Sequence, residues 1–197
     1  MAAVPSTMLP LGTKLPAFSL PNAVDGKTVS SSDFDQRPAL LVMFICNHCP
    51  YVQHVKQGIG RVAADYASRG FGIVAISSND VAQFPDDAPN KMQAFARAEG
   101  WKFPYLFDET QQVARSFQAA CTPEFYLFDR ERRLVYRGQL DGSRPKNDVP
   151  VTGKDLRAAL DALLSGSAVS PDQVPSVGCN IKWKPGNEPS YFAAPAR

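Results

Sequence analysis

The chain contains 197 residues, of which 44% are hydrophobic, and its formal net charge at pH 7 is +2. This length and apolar content suit one large domain with a sizeable core. The nearly balanced charge argues against a nucleic-acid or anionic-membrane partner, and no run approaches the roughly 20 apolar residues of a membrane-spanning helix.

The N-terminal extension, residues 1–37, is predicted to consist of loops and short extended pieces. It begins without the basic segment and the sustained apolar segment of a secretory signal peptide. We therefore expect a cytoplasmic protein, in which a close pair of cysteines is more typical of catalysis or metal binding than of a structural disulfide. The four cysteines divide into such a pair, Cys46 and Cys49, and two single residues, Cys121 and Cys179.

Residues 39–77 show the pattern of a strand–helix–strand unit. The continuous apolar run Ala39–Ile45 is typical of a strand buried on both faces of a sheet. Pro50 suits the first turn of a helix, and an apolar stripe then recurs at helical spacing. The stripe consists of Val52, Val55, Ile59, Val62 and Tyr66. Phe71–Ser77 is a second buried strand, so we expect a right-handed crossover between parallel strands.

The second half of the chain is predicted to alternate between helices and short strands. The elements are Asn90–Gly100, Phe103–Phe107, Gln111–Phe117, the hairpin strands Glu124–Phe128 and Leu134–Gly138, and a final helix capped by Thr152 that buries Leu156, Leu160, Leu163 and Leu164. We therefore predict an α/β fold with helices flanking a central mixed sheet, within a domain of residues 1–166. Residues 167–197, rich in Pro, Ser and Gly, are predicted to form a C-terminal tail packed on or near this domain.

Cys46-Asn47-His48-Cys49 lies at the junction between the first buried strand and its helix. Thiols at i and i+3 would lie side by side on the first helical turn. There the helix dipole and free N–H groups favour a thiolate on Cys46. We expect Cys46 to face solvent as the nucleophile, and Cys49 to resolve a mixed disulfide by attacking Cys46 sulfur.

The two residues between the cysteines, Asn47 and His48, are expected to tune the reduction potential. If His48 stabilises the Cys46 thiolate, it stabilises the reduced form and makes the disulfide a stronger oxidant. The alternative is a solvent-exposed turn histidine that is weakly coupled to the thiols.

Two sequence features together resemble the thioredoxin superfamily, specifically its redoxin branch. They are the Cys46–Cys49 motif with Pro50 after a buried strand, and Thr122-Pro123 just before the β-hairpin. The resemblance covers roughly residues 12–165 and implies a thioredoxin-like fold. It also implies that Pro123 is a cis-proline opposite the redox pair, with the Thr122 backbone set against Cys46 and able to pair with a substrate peptide. The implied partners are a protein or small-molecule disulfide and a thiol electron donor, and the implied chemistry uses no cofactor and no metal.

One departure from the redoxin pattern separates two possible reactions. Peroxiredoxins place a Thr or Ser three residues before the peroxidatic cysteine, whereas this chain has Met43 there. We therefore predict thiol–disulfide exchange, with a peroxiredoxin-like antioxidant peroxidase as the alternative. A metal-binding module using Cys46, His48 and Cys49 is a third hypothesis. Three ligands within four residues suit a tetrahedral site poorly, and no second Cys/His cluster completes it.

Cys121 and Cys179 admit three interpretations. They are isolated buried side chains, a disulfide that ties the tail to the domain near Pro123, or members of a relay that exchanges with Cys46. Glu124 directly follows Pro123 and is a candidate for a proton path to Cys49.

Overall fold

The computed structural model describes residues 3–192. Strands and helices alternate along this part of the chain. The strands are β1 (Ala3–Pro5), β2 (Ser19–Pro21), β3 (Thr28–Ser30), β4 (Leu40–Phe44), β5 (Gly72–Ser77), β6 (Tyr105–Phe107), β7 (Cys121–Thr122), β8 (Glu124–Phe128), β9 (Leu134–Gly138) and β10 (Val177–Asn180). The α-helices are α1 (Pro50–Ala67), α2 (Pro89–Ala98), α3 (Gln112–Ser116) and α4 (Lys154–Leu164).

A five-stranded mixed sheet in the order β6-β5-β4-β8-β9 forms the centre of the fold. Strand β4 pairs parallel with β5 and antiparallel with β8. The parallel half comes from the predicted strand–helix–strand unit, and the antiparallel half comes from the β8–β9 hairpin. The sheet therefore brings the end of β4, where the cysteine motif begins, beside the start of β8.

Strand β4 is buried on both faces, as its continuous apolar run predicts. Leu41 and Met43 pack into one core with α1, α2 and α4, whereas Leu40 and Val42 pack into a second core that contains Phe117. Successive side chains of a strand point to opposite faces, so a central strand between two helical layers needs apolar residues at every position.

Two helices can be compared directly with their sequence patterns. All five residues of the predicted α1 stripe are buried, so that prediction is correct. The expected N-cap of α4, Thr152, is wrong: Gly153 holds that position, with φ of 74°. Leu156 and Leu160 are buried as predicted, whereas Leu164 is 37% exposed, because it lies in the last turn of the helix, beyond the sheet-facing stripe.

Part of the C-terminal segment forms a strand. Strand β10 lies between β1 and β7 and pairs antiparallel with both, giving a second sheet in the order β1-β10-β7. Ile181 and Trp183 follow this strand and are buried in the same core as Phe117. Among residues 3–192, no helix combines the length and apolarity needed to cross a membrane.

Candidate active site

Cys46 and Cys49 are buried thiols in the loop between β4 and α1. Cys49 is the N-cap residue of α1, and the helix begins at Pro50. Cys46 therefore precedes the helix, and the expectation that both thiols lie on its first turn is wrong. The expected exposure of Cys46 is also wrong, since Cys46 is 1% exposed and Cys49 is 0% exposed.

Thr122 contacts both thiols. Its hydroxyl oxygen lies 3.4 Å from Cys46 Sγ, and its carbonyl oxygen lies 3.2 Å from Cys49 Sγ. The Thr122–Pro123 peptide bond is cis, as the redoxin resemblance implies. Pairing of Glu124 with Phe44 places these residues beside the end of β4, because β8 starts directly after Pro123.

Cys179 brings a third thiol to this site. The antiparallel pairing of β10 with β7 sets Cys179 opposite Thr122. The Cys179 side chain is 2% exposed and packs in the same core cluster as Cys46 and Cys49. Its partner across the strands, Thr122, is the residue whose carbonyl accepts from the Cys49 thiol. We call Cys46, Cys49 and Cys179 the three-thiol cluster.

Cys121 points away from the three-thiol cluster. It neighbours Thr122 on β7 and pairs in register with Asn180, and adjacent strand residues face opposite sides. The interpretation of Cys121 and Cys179 as a pair therefore does not fit this structure. All four cysteines are free thiols here.

Glu124 lies on the same side as Cys121. Its carboxylate accepts the backbone N–H groups of Ala120 and Cys121 at 2.9 and 3.3 Å, and it lies 4.0 Å from Cys121 Sγ. The proposed proton path from Glu124 to Cys49 is therefore wrong. Burial is the main cause that raises the pKa of Glu124 to about 7, because the charged form loses solvation.

The thiolate is favoured on Cys49 and disfavoured on Cys46. Hydrogen bonds from the thiols of Cys179 and Cys46 lower the pKa of Cys49 against the opposing effect of burial. Burial raises the pKa of Cys46 well above its usual value, and the bond to Cys49 adds to this increase. This reverses the expectation for Cys46. The N-cap position of Cys49 on α1 also suits a negative charge. When Cys49 is protonated, its S–H donates to the Thr122 carbonyl.

His48 is held by a buried carboxylate. Its Nδ1 lies 2.6 Å from Asp87 Oδ2, and its ring stacks on Phe84 with centroids 5.0 Å apart. The His48 side chain is 13% exposed, so the alternative of an exposed, uncoupled turn histidine does not fit. Within residues 3–192, the buried Nε2 of His48 has no hydrogen-bond partner.

Asp87 also fixes the backbone of the cysteine motif. Its Oδ1 accepts the N–H groups of Asn47 and His48 at 2.7 and 3.2 Å, and Asn79 donates to Oδ2 at 2.7 Å. Burial acts to raise the pKa of Asp87, but the hydrogen bonds from His48 and Asn79 outweigh it and hold that pKa below its usual value. Sequence reasoning missed Asp87, since an acidic residue in a polar loop carries no signal of a partner 40 positions away.

The structure brings together a set of possible metal ligands that differs from the set expected from the sequence. Cys46 Sγ, a ring nitrogen of His48 and a carboxylate oxygen of Asp87 lie within 4.8 Å of one another, and Cys49 is not in this group. Both oxygens of Asp87 already accept hydrogen bonds, and a structural zinc site takes four ligands. The arrangement therefore suits the orientation of His48 better than metal binding.

An open groove of about 480 Å³ runs beside the motif. Asn47 and His48 form one side, and Lys91 and Phe95 of α2 lie on the other. Cys46 itself does not line this groove.

Comparison with known proteins identifies the family of this chain. The redoxin family model matches residues 10–156. The chain belongs to the redoxin family. This redoxin is similar to a conserved, uncharacterised Geobacillus kaustophilus protein of known structure, with 55% identity, a TM-score of 0.92, and coverage of 94% of this chain and 98% of that one.

Two further comparisons are more distant. A Mycobacterium tuberculosis protein provisionally named a peroxiredoxin is 29% identical over 121 residues, which cover 61% of this redoxin and 71% of that protein. The thioredoxin domain of a thiol-disulfide oxidoreductase from Bacteroides vulgatus has 16% identity and a TM-score of 0.56, over 76% of this chain and 96% of that domain. The latter likeness concerns the fold alone, and it confirms the predicted thioredoxin-like α/β fold.

Proposed function

We propose that this redoxin is a thiol–disulfide oxidoreductase whose redox couple is Cys46 and Cys49. The observation that carries the proposal is that Thr122 contacts both free thiols from the strand that precedes the cis-proline. The substrate is a protein or small-molecule disulfide, and the electron donor is a thiol.

The pKa directions suggest the first step of the exchange. In the proposed cycle the reduced state has the thiolate on Cys49, whose pKa is lowered, and the proton on Cys46, whose pKa is raised. Cys46 transfers this proton to Cys49 as its sulfur attacks one sulfur of the substrate. The substrate S–S bond breaks, a mixed disulfide forms on Cys46, and the first leaving thiolate takes the proton from Cys49.

In the second step, the negative charge on Cys49 makes its sulfur the nucleophile. The Cys49 thiolate attacks Cys46 Sγ, the mixed disulfide breaks, and the second substrate thiolate leaves and takes a proton from solvent. Two electrons have then moved from the dithiol to the substrate, and the Cys46–Cys49 disulfide remains. A thiol donor reverses these steps on the protein.

The His48–Asp87 pair positions the loop during this cycle. Asp87 holds Nδ1 of His48 and the two backbone N–H groups next to Cys46. Nδ1 is thereby the ring nitrogen that anchors His48, while its Nε2 makes no hydrogen bond within residues 3–192. The negative charge of Asp87 contributes to the raised pKa of Cys46, so it favours the assignment of the thiolate to Cys49.

One observation supports a second candidate function, a thiol peroxidase. Thr122 supplies a hydroxyl 3.4 Å from Cys46 Sγ, although the position that usually supplies it in peroxiredoxins is Met43. The relative with a peroxiredoxin name points the same way. Stopped-flow oxidation of the reduced protein by hydrogen peroxide separates the two: a peroxidase reacts far faster than free cysteine, whereas a disulfide exchanger does not.

The direct test of the leading proposal is insulin-disulfide reduction with dithiothreitol as the electron donor. Cys46→Ser is expected to abolish activity, because the mixed disulfide with insulin forms on Cys46 in the proposed cycle. Cys121→Ser is the matched control, since Cys121 is equally buried but faces away from the cluster, and it is expected to keep wild-type turnover. Wild-type turnover in both Cys46→Ser and Cys49→Ser would contradict the proposal.

A further inference from the structure

Cys179 is a buried nucleophile that the proposed exchange does not use. It packs in one buried cluster with Cys46 and Cys49 and reaches that cluster on strand β10, whereas the other two belong to the loop before α1. We propose that Cys179 is a third redox-active cysteine, which converts the Cys46–Cys49 disulfide into a Cys49–Cys179 disulfide and releases Cys46. This inference rests on the proposed Cys46–Cys49 couple and adds a second state to it.

The first support is the register that places Cys179. Strand β10 pairs Cys179 with Thr122, and Thr122 is the residue that contacts both Cys46 and Cys49. The three sulfurs are therefore gathered around one residue of β7. Cys121, one position earlier, is excluded from this arrangement by the alternation of side chains along the strand.

The second support is the residue before Cys179. A Cβ on Gly178 would lie 2.0 Å from the Thr122 carbonyl oxygen, inside any permitted contact. Only glycine lets β10 come this close to Thr122, because every other residue carries a Cβ. The Val177-Gly178-Cys179 sequence thus brings Cys179 directly beside Thr122.

The third support concerns the backbone edge of β7 at Thr122. Here β10 occupies it and presents a cysteine to the redox pair, as a bound substrate thiol would. The strand therefore acts as a substrate built into the chain, and the exchange is intramolecular.

The proposed rearrangement balances without any other reactant. Cys179 Sγ attacks Cys49 Sγ of the Cys46–Cys49 disulfide, the Cys46–Cys49 bond breaks, and the Cys49–Cys179 bond forms. The electron pair leaves on Cys46 Sγ, which takes the proton that Cys179 gives up. One disulfide is present before and after, so the chain is neither oxidised nor reduced.

The test is disulfide mapping of the full-length protein after oxidation in a glutathione buffer, followed by acid quenching, alkylation and peptide mass spectrometry. Wild-type protein is expected to yield both Cys46–Cys49 and Cys49–Cys179 peptides. Cys46→Ser retains three of the four cysteines, and oxidation is expected to lower its alkylatable thiols from three to one through the Cys49–Cys179 bond.

Matched variants make the result specific. Cys179→Ala is expected to yield only the Cys46–Cys49 peptide, and Cys121→Ser is expected to match wild type. Thermal unfolding of each variant shows whether it is folded, and Cys179→Ser is the second substitution should the alanine variant unfold. If the wild-type protein forms Cys46–Cys49 while folded Cys46→Ser forms no internal disulfide, the inference is overturned and the proposed function stands. If the wild-type protein forms no Cys46–Cys49 disulfide, both fail.

Discussion

Cys179 packs in the same buried cluster as Cys49, although the two are 130 positions apart in the sequence. This packing depends on the close approach of β10 to β7 at Gly178. Strand β10 is thereby linked to the redox site, and we expect its removal to alter that site.

Gly178→Ala should displace β10 from β7. The added Cβ clashes with the Thr122 carbonyl oxygen at 2.0 Å, and overpacking of this kind costs about 1–3 kcal/mol. We expect lower stability in urea unfolding and faster amide exchange in residues 177–180. Gly142→Ala is the control, since its Cβ meets only Val149 at an ordinary 4.0 Å. Equal stability of the two variants would contradict the close approach.

Thr122→Val should slow reaction at Cys46 without disturbing the fold. The hydroxyl lowers the pKa of Cys46 by hydrogen bonding to its sulfur, and a lost hydrogen bond of this kind is worth about 0.5–1.5 kcal/mol. We expect a roughly 2- to 10-fold slower alkylation of Cys46 near neutral pH, measured by peptide mass spectrometry. An unchanged rate would mean that this hydroxyl has no effect on the thiol.

The Asp87 carboxylate should make the protein sensitive to acid. Its folded-state pKa lies below the usual value, so its contribution to stability is present above the unfolded-state pKa, about 4, and is lost as pH falls through the folded-state pKa. Asp87→Asn should lower the free energy of unfolding at pH 7 and flatten its decrease below about pH 4. Parallel urea unfolding curves of wild type and variant between pH 3 and 7 check this. A difference in free energy of unfolding that stays constant across that pH range would contradict the lowered pKa of Asp87.

Glu124 should make the stability of the protein depend on pH in the opposite direction. Its folded-state pKa is raised to about 7, so the folded protein holds a proton that the unfolded chain releases above its own pKa, and stability falls as pH rises from about 4.5 to 7. Glu124→Gln removes this penalty while its side-chain oxygen still accepts hydrogen bonds. The variant should gain roughly 3 kcal/mol relative to wild type between pH 4.5 and 8. If the difference in free energy of unfolding between variant and wild type does not widen as pH rises, the raised pKa of Glu124 is refuted.

The parts of the fold that follow from local patterns were predictable. The buried run of β4, the α1 stripe and the β8–β9 hairpin all rest on periodicity within a few residues. The Cys46–Cys49 pair and Pro123 were likewise found from sequence, since the first is a local motif and the second follows from the family resemblance.

The electrostatics of the site depend on contacts that no local pattern encodes. Asp87 reaches His48 from a separate loop, and Cys179 reaches Cys49 from the C-terminal segment. Burial and the charge of Asp87 raise the pKa of Cys46, and Cys179 is the main cause that lowers the pKa of Cys49, so the expectation for Cys46 is reversed. The burial of Cys46 was also missed, because its sulfur is contacted by Thr122, which lies 76 positions further along the chain.

The most direct test of the central claim is a redox titration of Cys179→Ala, in which the Cys46–Cys49 couple is isolated from the third thiol. The protein is equilibrated in glutathione buffers of graded potential, quenched in acid and mapped by mass spectrometry. We predict one reversible two-electron transition, about 30 mV for each tenfold change in the ratio of disulfide to dithiol, in which Cys46 and Cys49 become linked to each other. If both cysteines remain alkylatable across the whole range, or are oxidised only as separate glutathione adducts, the dithiol couple is contradicted.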